Sequence, residues 1–135
     1  MRASLTHVPS GLTFRVLNAH CQADTELFAN LWKPVMEAIR VAQMEQLTRT
    51  EKGPAIVLGD WNTEFCRIPG WHRGSTDATF PATDEILDHC ATWGPWELIR
   101  HQTHPLPWSD HYPVHWILRL HPPGHLRNSN PKCTG

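Results

Sequence analysis

Apolar and polar residues alternate in two separate stretches of the chain. In "LTFRVLNAH" (residues 12–20), Leu12, Phe14 and Val16 fall on one face of an extended chain, with polar residues between them. In "YPVHWILRL" (112–120) the apolar residues again occupy every second position. A period of two residues is typical of a strand with one buried face, so both stretches are predicted to be strands.

Between these two strands the pattern changes. Residues 34–50 carry apolar side chains at spacings of three and four, which predicts an amphipathic helix. Residues 55–58, "AIVL", form a short apolar run that predicts a strand buried on both faces. Residues 65–84 are rich in Gly, Pro, Thr and Asp and predict a long loop or lid. A further strand is predicted over 84–93, and 97–107 begins like a strand and continues as a Pro-bounded loop.

The predicted order is therefore strand, helix, strand, loop, strand, strand, which is typical of an α/β or α+β domain. Residues 12–120 form this domain. Residues 1–11 are polar, contain Pro9 and Gly11, and are expected to be a tail that ends in a turn. Residues 121–135 are rich in Pro, Gly, Asn and Ser and are expected to be a flexible tail.

Composition narrows the class of protein. The chain has 135 residues and a formal net charge of −1, so no large duplex-DNA surface is expected. Its four cysteines form no Cys-x-x-Cys pair, which favours reduced thiols in the cytosol over a compact zinc knuckle. Residues 1–11 lack the apolar segment of a signal peptide. A longer gene product could carry such a signal upstream of this chain. No apolar run is long enough to span a membrane.

Candidate chemistry follows the apolar run at 55–58. Asp60 and Asn62 lie two residues apart, directly after Gly59. A carboxylate and a carboxamide oxygen are hard ligands that suit Mg²⁺ or Mn²⁺. The glycine allows a sharp turn and close approach of a substrate. The same residues also suit an ordinary turn, so this stretch alone leaves both interpretations open.

Polar residues at three further places in the chain adjoin predicted strands. Ser109, Asp110 and His111 precede the last strand, where His111 offers acid–base chemistry near neutral pH and Ser-Asp could equally be a cap. His20 ends the first strand. Asp88 lies in the apolar context "ILDHC", where a buried carboxylate needs a partner such as a histidine.

Taken together and in order, these clusters resemble the endonuclease/exonuclease/phosphatase family, the group with a DNase I-like fold. The resemblance extends over residues 12–119, and five matches in the family's order are far more specific than any one of them. The matching stretches are "LTFRVLNAHC" (12–21), "RVAQMEQL" (40–47), "AIVLGDWNTE" (55–64), "TFPATDEILDHC" (79–90) and "WSDHYPV" (108–114).

The resemblance implies metal-assisted hydrolysis of a phosphoester. It implies that Asp60 and Asn62 position the attacking water, a metal or both. His111 would be the acid–base residue with Asp88 as its carboxylate partner, and His20 would hydrogen-bond a phosphate oxygen. These roles suit a pentavalent phosphate, which needs charge neutralisation, an in-line nucleophile and a protonated leaving group.

The same resemblance implies a resident Mg²⁺ or Mn²⁺ ion. Its expected ligands are Asp60, Asn62, Asp110 and His111. The substrate is some phosphoester: nucleic acid, a phospholipid head group or a small phosphoester. Trp61, Trp71, Trp93 and Trp96 could stack on a base or lie on lipid, or they could belong to the core.

The resemblance is to the C-terminal half of the family's domain. We therefore expect one mixed sheet flanked by a helix, roughly half of the four-layer sandwich. The family's early Asn and its metal-binding Glu have no counterpart here, since Glu26, Glu37 and Glu45 lie in the wrong context. Efficient catalysis is expected to require an N-terminal half or a partner chain.

Two alternatives remain at this point. The first is a catalytically inactive remnant or binding module with the same fold. The second is an unrelated zinc-binding protein, in which soft thiolates would select Zn²⁺ over Mg²⁺. Its ligands would come from among His20, Cys21, His89, Cys90, His101 and His104.

Overall fold

The computed structural model describes residues 1–23, 33–65, 67–74 and 76–122. These ranges contain one helix and seven strands. In chain order they are β1 (Arg2–His7), β2 (Leu12–His20), α1 (Lys33–Thr48), β3 (Ala55–Asp60), β4 (His72–Arg73), β5 (Asp88–Trp93), β6 (Trp96–Thr103) and β7 (Val114–Leu120). The fold is mixed α/β, as the sequence predicts.

Five strands form a mixed sheet in the order β1-β2-β3-β5-β4. Strands β2 and β3 are parallel, and every other pair in this sheet is antiparallel. Parallel neighbours need a crossover connection, and α1 lies in the segment between them. Strands β6 and β7 pair with each other as a separate two-stranded sheet.

The five-stranded sheet lies between two layers. Leu17, Val57 and Met44 form part of the buried core on one face, so α1 covers that face. Phe14 faces the opposite way from Leu17, and its ring meets the Trp96 ring edge-on at 5.2 Å between centroids. The two-stranded sheet therefore lies against the second face.

The expected strands and helix are found, with shifted ends. The helix ends at Thr48. Strand β5 begins at Asp88, because residues 81–84 form a turn closed by the Phe80–Glu85 bridge and residues 86–87 have no regular secondary structure. Strand β6 continues to Thr103, well past its predicted strand-like start. Ala55, Ile56 and Val57 are buried as expected for a central strand, whereas 38% of Leu58 is exposed on the face of β6 and β7.

The prediction that residues 1–11 form a tail is wrong for the first half of that segment. Arg2–His7 is an edge strand that pairs antiparallel with β2, with Leu5 opposite Phe14. All six of its residues are exposed, so they carry no alternation of burial that a sequence pattern could reveal. The expected turn is present, with the Gly11 N–H donating to the His7 carbonyl at 2.8 Å. The flexible tail expected at 121–135 lies outside the described residues beyond 122.

Candidate functional site

Three of the predicted site residues lie side by side at one end of the five-stranded sheet. In the strand register His20 lies opposite Asp60, and Asp60 lies opposite Asp88. The parallel pairing of β2 with β3 and the reversed direction of β5 bring two strand ends and one strand start together. Side chains directly opposite in a sheet share a face, so these three project together toward the side of β6 and β7.

The loop between β6 and β7 adds His111 to this row. His111 Nδ1–H donates to Asp88 Oδ2 at 2.7 Å, and the Phe80 ring lies 5.0 Å from the imidazole. The Tyr112 N–H donates to the Thr79 carbonyl at 2.7 Å and fixes the backbone just after the histidine. The expected hydrogen bond between Asp88 and His111 is thus present.

Asp60 stands between two histidines. Its Oδ2 atom lies 3.7 Å from His20 Nε2 and 3.8 Å from His111 Nε2. His111 therefore has one carboxylate bonded at Nδ1 and a second facing Nε2. Burial lowers the pKa of His111, but the hydrogen bond and charge of Asp88, with the charges of Asp60 and Asp110, outweigh it and raise that pKa above its usual value.

The Asp60–Asn62 turn is held from several sides. Asn62 adopts a left-handed conformation with φ of 52°, and its N–H donates to Asp60 Oδ1 at 2.8 Å. Its side-chain Nδ2 donates to the Cys21 carbonyl at 3.0 Å, which leaves the carboxamide oxygen available. Gly59 has φ of 131°, and a Cβ there would lie 2.0 Å from the Ala19 carbonyl oxygen. Only glycine fits this close approach of β3 to β2.

Thr63 ties the same turn to α1 and to β5. Its hydroxyl donates to Glu37 Oε2 at 2.7 Å, and Glu37 Oε1 accepts from Arg40 at 2.9 Å. His89 Nε2–H donates to the Thr63 carbonyl at 2.7 Å. Desolvation lowers the pKa of His89 to about 4, so this imidazole is neutral at physiological pH.

Thr79 performs a similar task for Asp88, although the sequence singled it out only as part of a motif. The buried Thr79 hydroxyl accepts the N–H groups of Leu87 and Asp88, both at 3.0 Å. Its carbonyl accepts the Tyr112 N–H, so one residue holds both Asp88 and the His111 loop. The signal that could have found it is the Thr-Phe pair itself.

Asp60, Asn62 and Asp110 offer oxygen atoms to a cation. Asp60 and the free carboxamide oxygen of Asn62 project from one turn, and a Mg²⁺ ion in proteins commonly takes one or two carboxylates and keeps several waters. Asp110 is exposed beside His111 and affects it by charge. The described ranges contain no group of three or more His, Cys, Asp or Glu side chains arranged to hold a metal. These oxygen donors suit a hard cation that keeps part of its hydration shell, and they do not suit a cation coordinated by protein atoms alone.

The zinc alternative does not fit the structure. His89 and Cys90 are neighbours in β5 and therefore point to opposite faces of the sheet. Burial raises the pKa of the Cys90 thiol to about 12, so it is protonated at neutral pH and is a poor ligand. His101 instead packs its ring against Trp116 at 5.5 Å between centroids.

The four tryptophans that the sequence left open as binding surface or core are all at least partly buried. Trp61 is fully buried in the core, and Trp71 and Trp93 are partly buried and pack against that core. Trp96 is half-buried and meets Phe14. Within the described part of the chain, no helix is long and apolar enough to cross a membrane.

Comparison with solved structures identifies the fold. An endonuclease/exonuclease/phosphatase from Beutenbergia cavernae superposes with a TM-score of 0.66 at 15% identity, covering 88% of this chain and 39% of its own. A mannosyl-6-phosphatase from Bacteroides thetaiotaomicron gives 0.58 at 17% identity, over 88% of this chain and 56% of its own. The catalytic domain of human nocturnin, with a bound sulfate anion, gives 0.54 at 17% identity, over 86% and 52%.

The chain therefore has part of the endonuclease/exonuclease/phosphatase fold, as its motifs indicate. It spans between 39% and 56% of the length of these three structures. No protein-family model matches the chain, and no curated protein matches its sequence.

Proposed function

We propose that the chain carries the catalytic end of a divalent-metal-dependent phosphoester hydrolase. The observation that carries the proposal is the orientation of His111. Its Nδ1 is bonded to Asp88 at 2.7 Å while its Nε2 faces Asp60 at 3.8 Å. A ring held in one tautomer, with its second nitrogen directed at a carboxylate turn, is the arrangement that general acid–base catalysis requires.

His111 is the proton-transfer residue in this proposal. Asp88 keeps the proton on Nδ1, so Nε2 is the nitrogen that exchanges a proton with the reacting group. When protonated at Nε2, His111 would donate that proton to a departing alkoxide. Asp60 stabilises that imidazolium and accepts a hydrogen bond from the attacking water.

Asn62 and His20 recognise the phosphate and the water. The Asn62 carboxamide oxygen, left free by the Nδ2 bond to Cys21, accepts from water in the turn. His20 Nε2 lies next to Asp60, and 77% of its side chain is exposed, so it can donate to a phosphate oxygen as charge builds there.

Asp60, Asn62 and Asp110 would hold the metal ion. When bound, Mg²⁺ or Mn²⁺ supplies charge neutralisation on the phosphate and lowers the pKa of bound water. The carboxylate and carboxamide donors match a hard cation, whereas a metal bound at His111 Nε2 would occupy the nitrogen that this proposal needs for proton transfer. We therefore keep His111 as the acid–base residue and give it no ligand role.

Full activity is proposed to need residues that this chain does not supply. The resemblance implies a principal metal-binding Glu, and Glu37 is engaged with Arg40 and Thr63. Each missing electrostatic contact at a transition state costs about 10²–10³-fold in rate. An N-terminal half or a partner chain would restore these contacts.

The test uses bis-p-nitrophenyl phosphate with Mg²⁺ or Mn²⁺. We expect weak or no turnover by this chain alone, and clear metal-dependent turnover by a version extended with any preceding coding sequence. Asp60→Ala and His111→Ala should each abolish that turnover, while the exposed Asp77→Ala should retain it as the matched control. Robust turnover by this chain alone, lost in both variants, would show that no further residues are needed. Silence of every version would favour a binding module of the same fold.

A further inference from the structure

The Arg-x-x-Gln stretch of α1, residues 40–43, contacts the chain just beyond the end of β2. Gln43 Oε1 accepts the Gln22 N–H at 3.1 Å, and Arg40 Nε–H donates to the Gln22 carbonyl at 2.9 Å. Gln22 lies two residues beyond His20, where β2 has ended. The helix therefore holds both backbone groups of a residue that follows the sheet closely, and the proposed mechanism gives these helix residues no role.

Gln43 and Asn62 bind opposite ends of one peptide group. The Gln22 N–H belongs to the same planar unit as the Cys21 carbonyl, and that carbonyl accepts the Asn62 Nδ2–H at 3.0 Å. In a trans peptide group the N–H and the carbonyl point in opposite directions, so a bond at one end fixes the direction of the other. A hydrogen bond at the N–H also polarises the carbonyl and strengthens it as an acceptor.

The direction of the Cys21 carbonyl determines how the Asn62 side chain is oriented. A carbonyl oxygen accepts hydrogen bonds and cannot donate them, so it binds the nitrogen end of the carboxamide and leaves the oxygen end directed elsewhere. The backbone of Asn62 is held separately, because its N–H donates to Asp60 Oδ1 at 2.8 Å. A carboxamide without the Cys21 bond could rotate about its own side-chain bonds and present its nitrogen, which does not bind a cation.

We propose that Gln43 is a positioning residue for the Asn62 carboxamide, acting through the Cys21–Gln22 peptide group, an inference that rests on the proposed function. Gln43 itself touches neither the phosphate nor the metal. It keeps the carboxamide oxygen of Asn62 in the orientation that a cation requires, so less side-chain freedom is lost when the cation binds. Contacts of this kind, one step behind the atoms that hold a metal, commonly change metal affinity by about 10–100-fold.

The same helix holds the residue that follows Asn62. Glu37 Oε2 accepts the Thr63 hydroxyl at 2.7 Å, and Glu37 Oε1 accepts from Arg40 at 2.9 Å. Arg40 is only 2% exposed, and a buried guanidinium needs such partners to offset the loss of water. Glu37, Arg40 and Gln43 follow one another at intervals of three residues, so they are neighbours on the helix surface. One rigid element therefore holds both Thr63 and the peptide group that Asn62 binds.

The test follows the Asn62 side-chain amide by ¹⁵N–¹H NMR and Mn²⁺ binding by EPR, both on the whole chain. Gln43→Met removes the acceptor at an exposed position, so the chain should still fold. The Asn62 amide signals should shift toward those of a free amide, and the affinity for Mn²⁺ should fall by about tenfold. Gln43→Glu keeps an acceptor oxygen and should restore the wild-type amide signals. The exposed Gln46→Met on the same helix is the matched control and should change neither measurement.

Other results would overturn the inference. Unchanged Asn62 amide signals in Gln43→Met would do so, even if urea unfolding showed a loss of stability. Equal shifts in Gln46→Met, or failure of Gln43→Glu to restore the signals, would also reject it. In a chain that binds Mn²⁺, shifted signals with unchanged affinity would show that the orientation of Asn62 does not serve the metal. If no version binds Mn²⁺ but the amide signals shift and are restored as expected, the proposed metal site is rejected and the positioning of Asn62 by Gln43 stands.

Discussion

Asp88 and His111 lie 23 residues apart in the chain and share a 2.7 Å hydrogen bond between Oδ2 and Nδ1. The bond joins the start of β5 to the loop before β7. It fixes the tautomer of the imidazole and determines which nitrogen faces Asp60.

The first prediction concerns the charge of Asp88. Asp88→Asn keeps the shape of the side chain but removes the charge that raises the pKa of His111, so that pKa should fall. An NMR titration of the His111 ring protons measures it. Asp110→Asn removes the smallest of the contributing charges and should lower the pKa less. An unchanged His111 titration in Asp88→Asn would mean that the two groups are not coupled in solution.

The second prediction concerns His89 and acid. The pKa of His89 is lowered from 6.5 to about 4 in the folded chain, so below pH 6.5 the unfolded state binds the proton first. The contribution of His89 to the free energy of unfolding is therefore fully present above about pH 6.5. It decreases as the pH falls toward 4, by a total of about 3 kcal/mol. His111 has a raised pKa in the folded chain, so its contribution to stability changes with pH only above about 6.5. It therefore does not hide the decrease caused by His89 at lower pH.

Urea unfolding at a series of pH values measures this loss. His89→Gln keeps a donor for the Thr63 carbonyl but cannot titrate, so its stability should depend less on pH in this range. The exposed His115→Gln is the control and should keep the slope of the wild-type chain. Identical slopes for His89→Gln and wild type would contradict the assignment.

The third prediction tests the close approach of Gly59 to the backbone of β2. A methyl group there would meet the Ala19 carbonyl oxygen at 2.0 Å, and φ is 131°. Gly59→Ala should lower the free energy of unfolding by about 3 kcal/mol or more, or prevent folding. Gly53→Ala is a matched control, because no atom lies within 4 Å of its added Cβ. Its effect should stay within about 0.5 kcal/mol, and similar costs at both glycines would refute the steric argument.

The fourth prediction tests the hydrogen bonds that Thr79 accepts from the Leu87 and Asp88 N–H groups. Thr79→Val removes the acceptor of the Leu87 and Asp88 N–H groups in a buried position and should cost about 1–3 kcal/mol. Because the same segment holds Asp88, the pKa of His111 should also move toward its usual value. Thr6→Val, which removes an exposed hydroxyl contact between β1 and β2, should cost far less. Loss of stability without any change in the pKa of His111 would show that these hydrogen bonds support the fold but do not position Asp88.

The sequence predicted the parts of the fold that carry a repeating pattern. Residues 12–20 and 112–120 alternate because one face of each strand is covered by another layer. The edge strand Arg2–His7 escaped detection because its pairing depends on backbone hydrogen bonds and its side chains are all exposed. A pattern of side chains contains no information about such a strand.

The candidate site was predictable where the chemistry is local. Asp60 and Asn62 follow a buried strand directly, and motif order predicted the Asp88–His111 pair. The supporting contacts were not predictable, because Glu37 meets Thr63 only through the packing of α1 on the sheet. Register and packing determine such pairs, and the local pattern of residues in one sequence does not reveal which distant side chains they bring together.

The four segments that supply His20, Asp60, Asp88 and His111 are distributed over most of the described chain. During synthesis the last of them leaves the ribosome only after β2, β3 and β5 have emerged. An incomplete nascent chain therefore lacks His111 even when most of its sheet has formed. The Asp88–His111 hydrogen bond can therefore form only after translation has passed residue 111, so this site is completed late in synthesis.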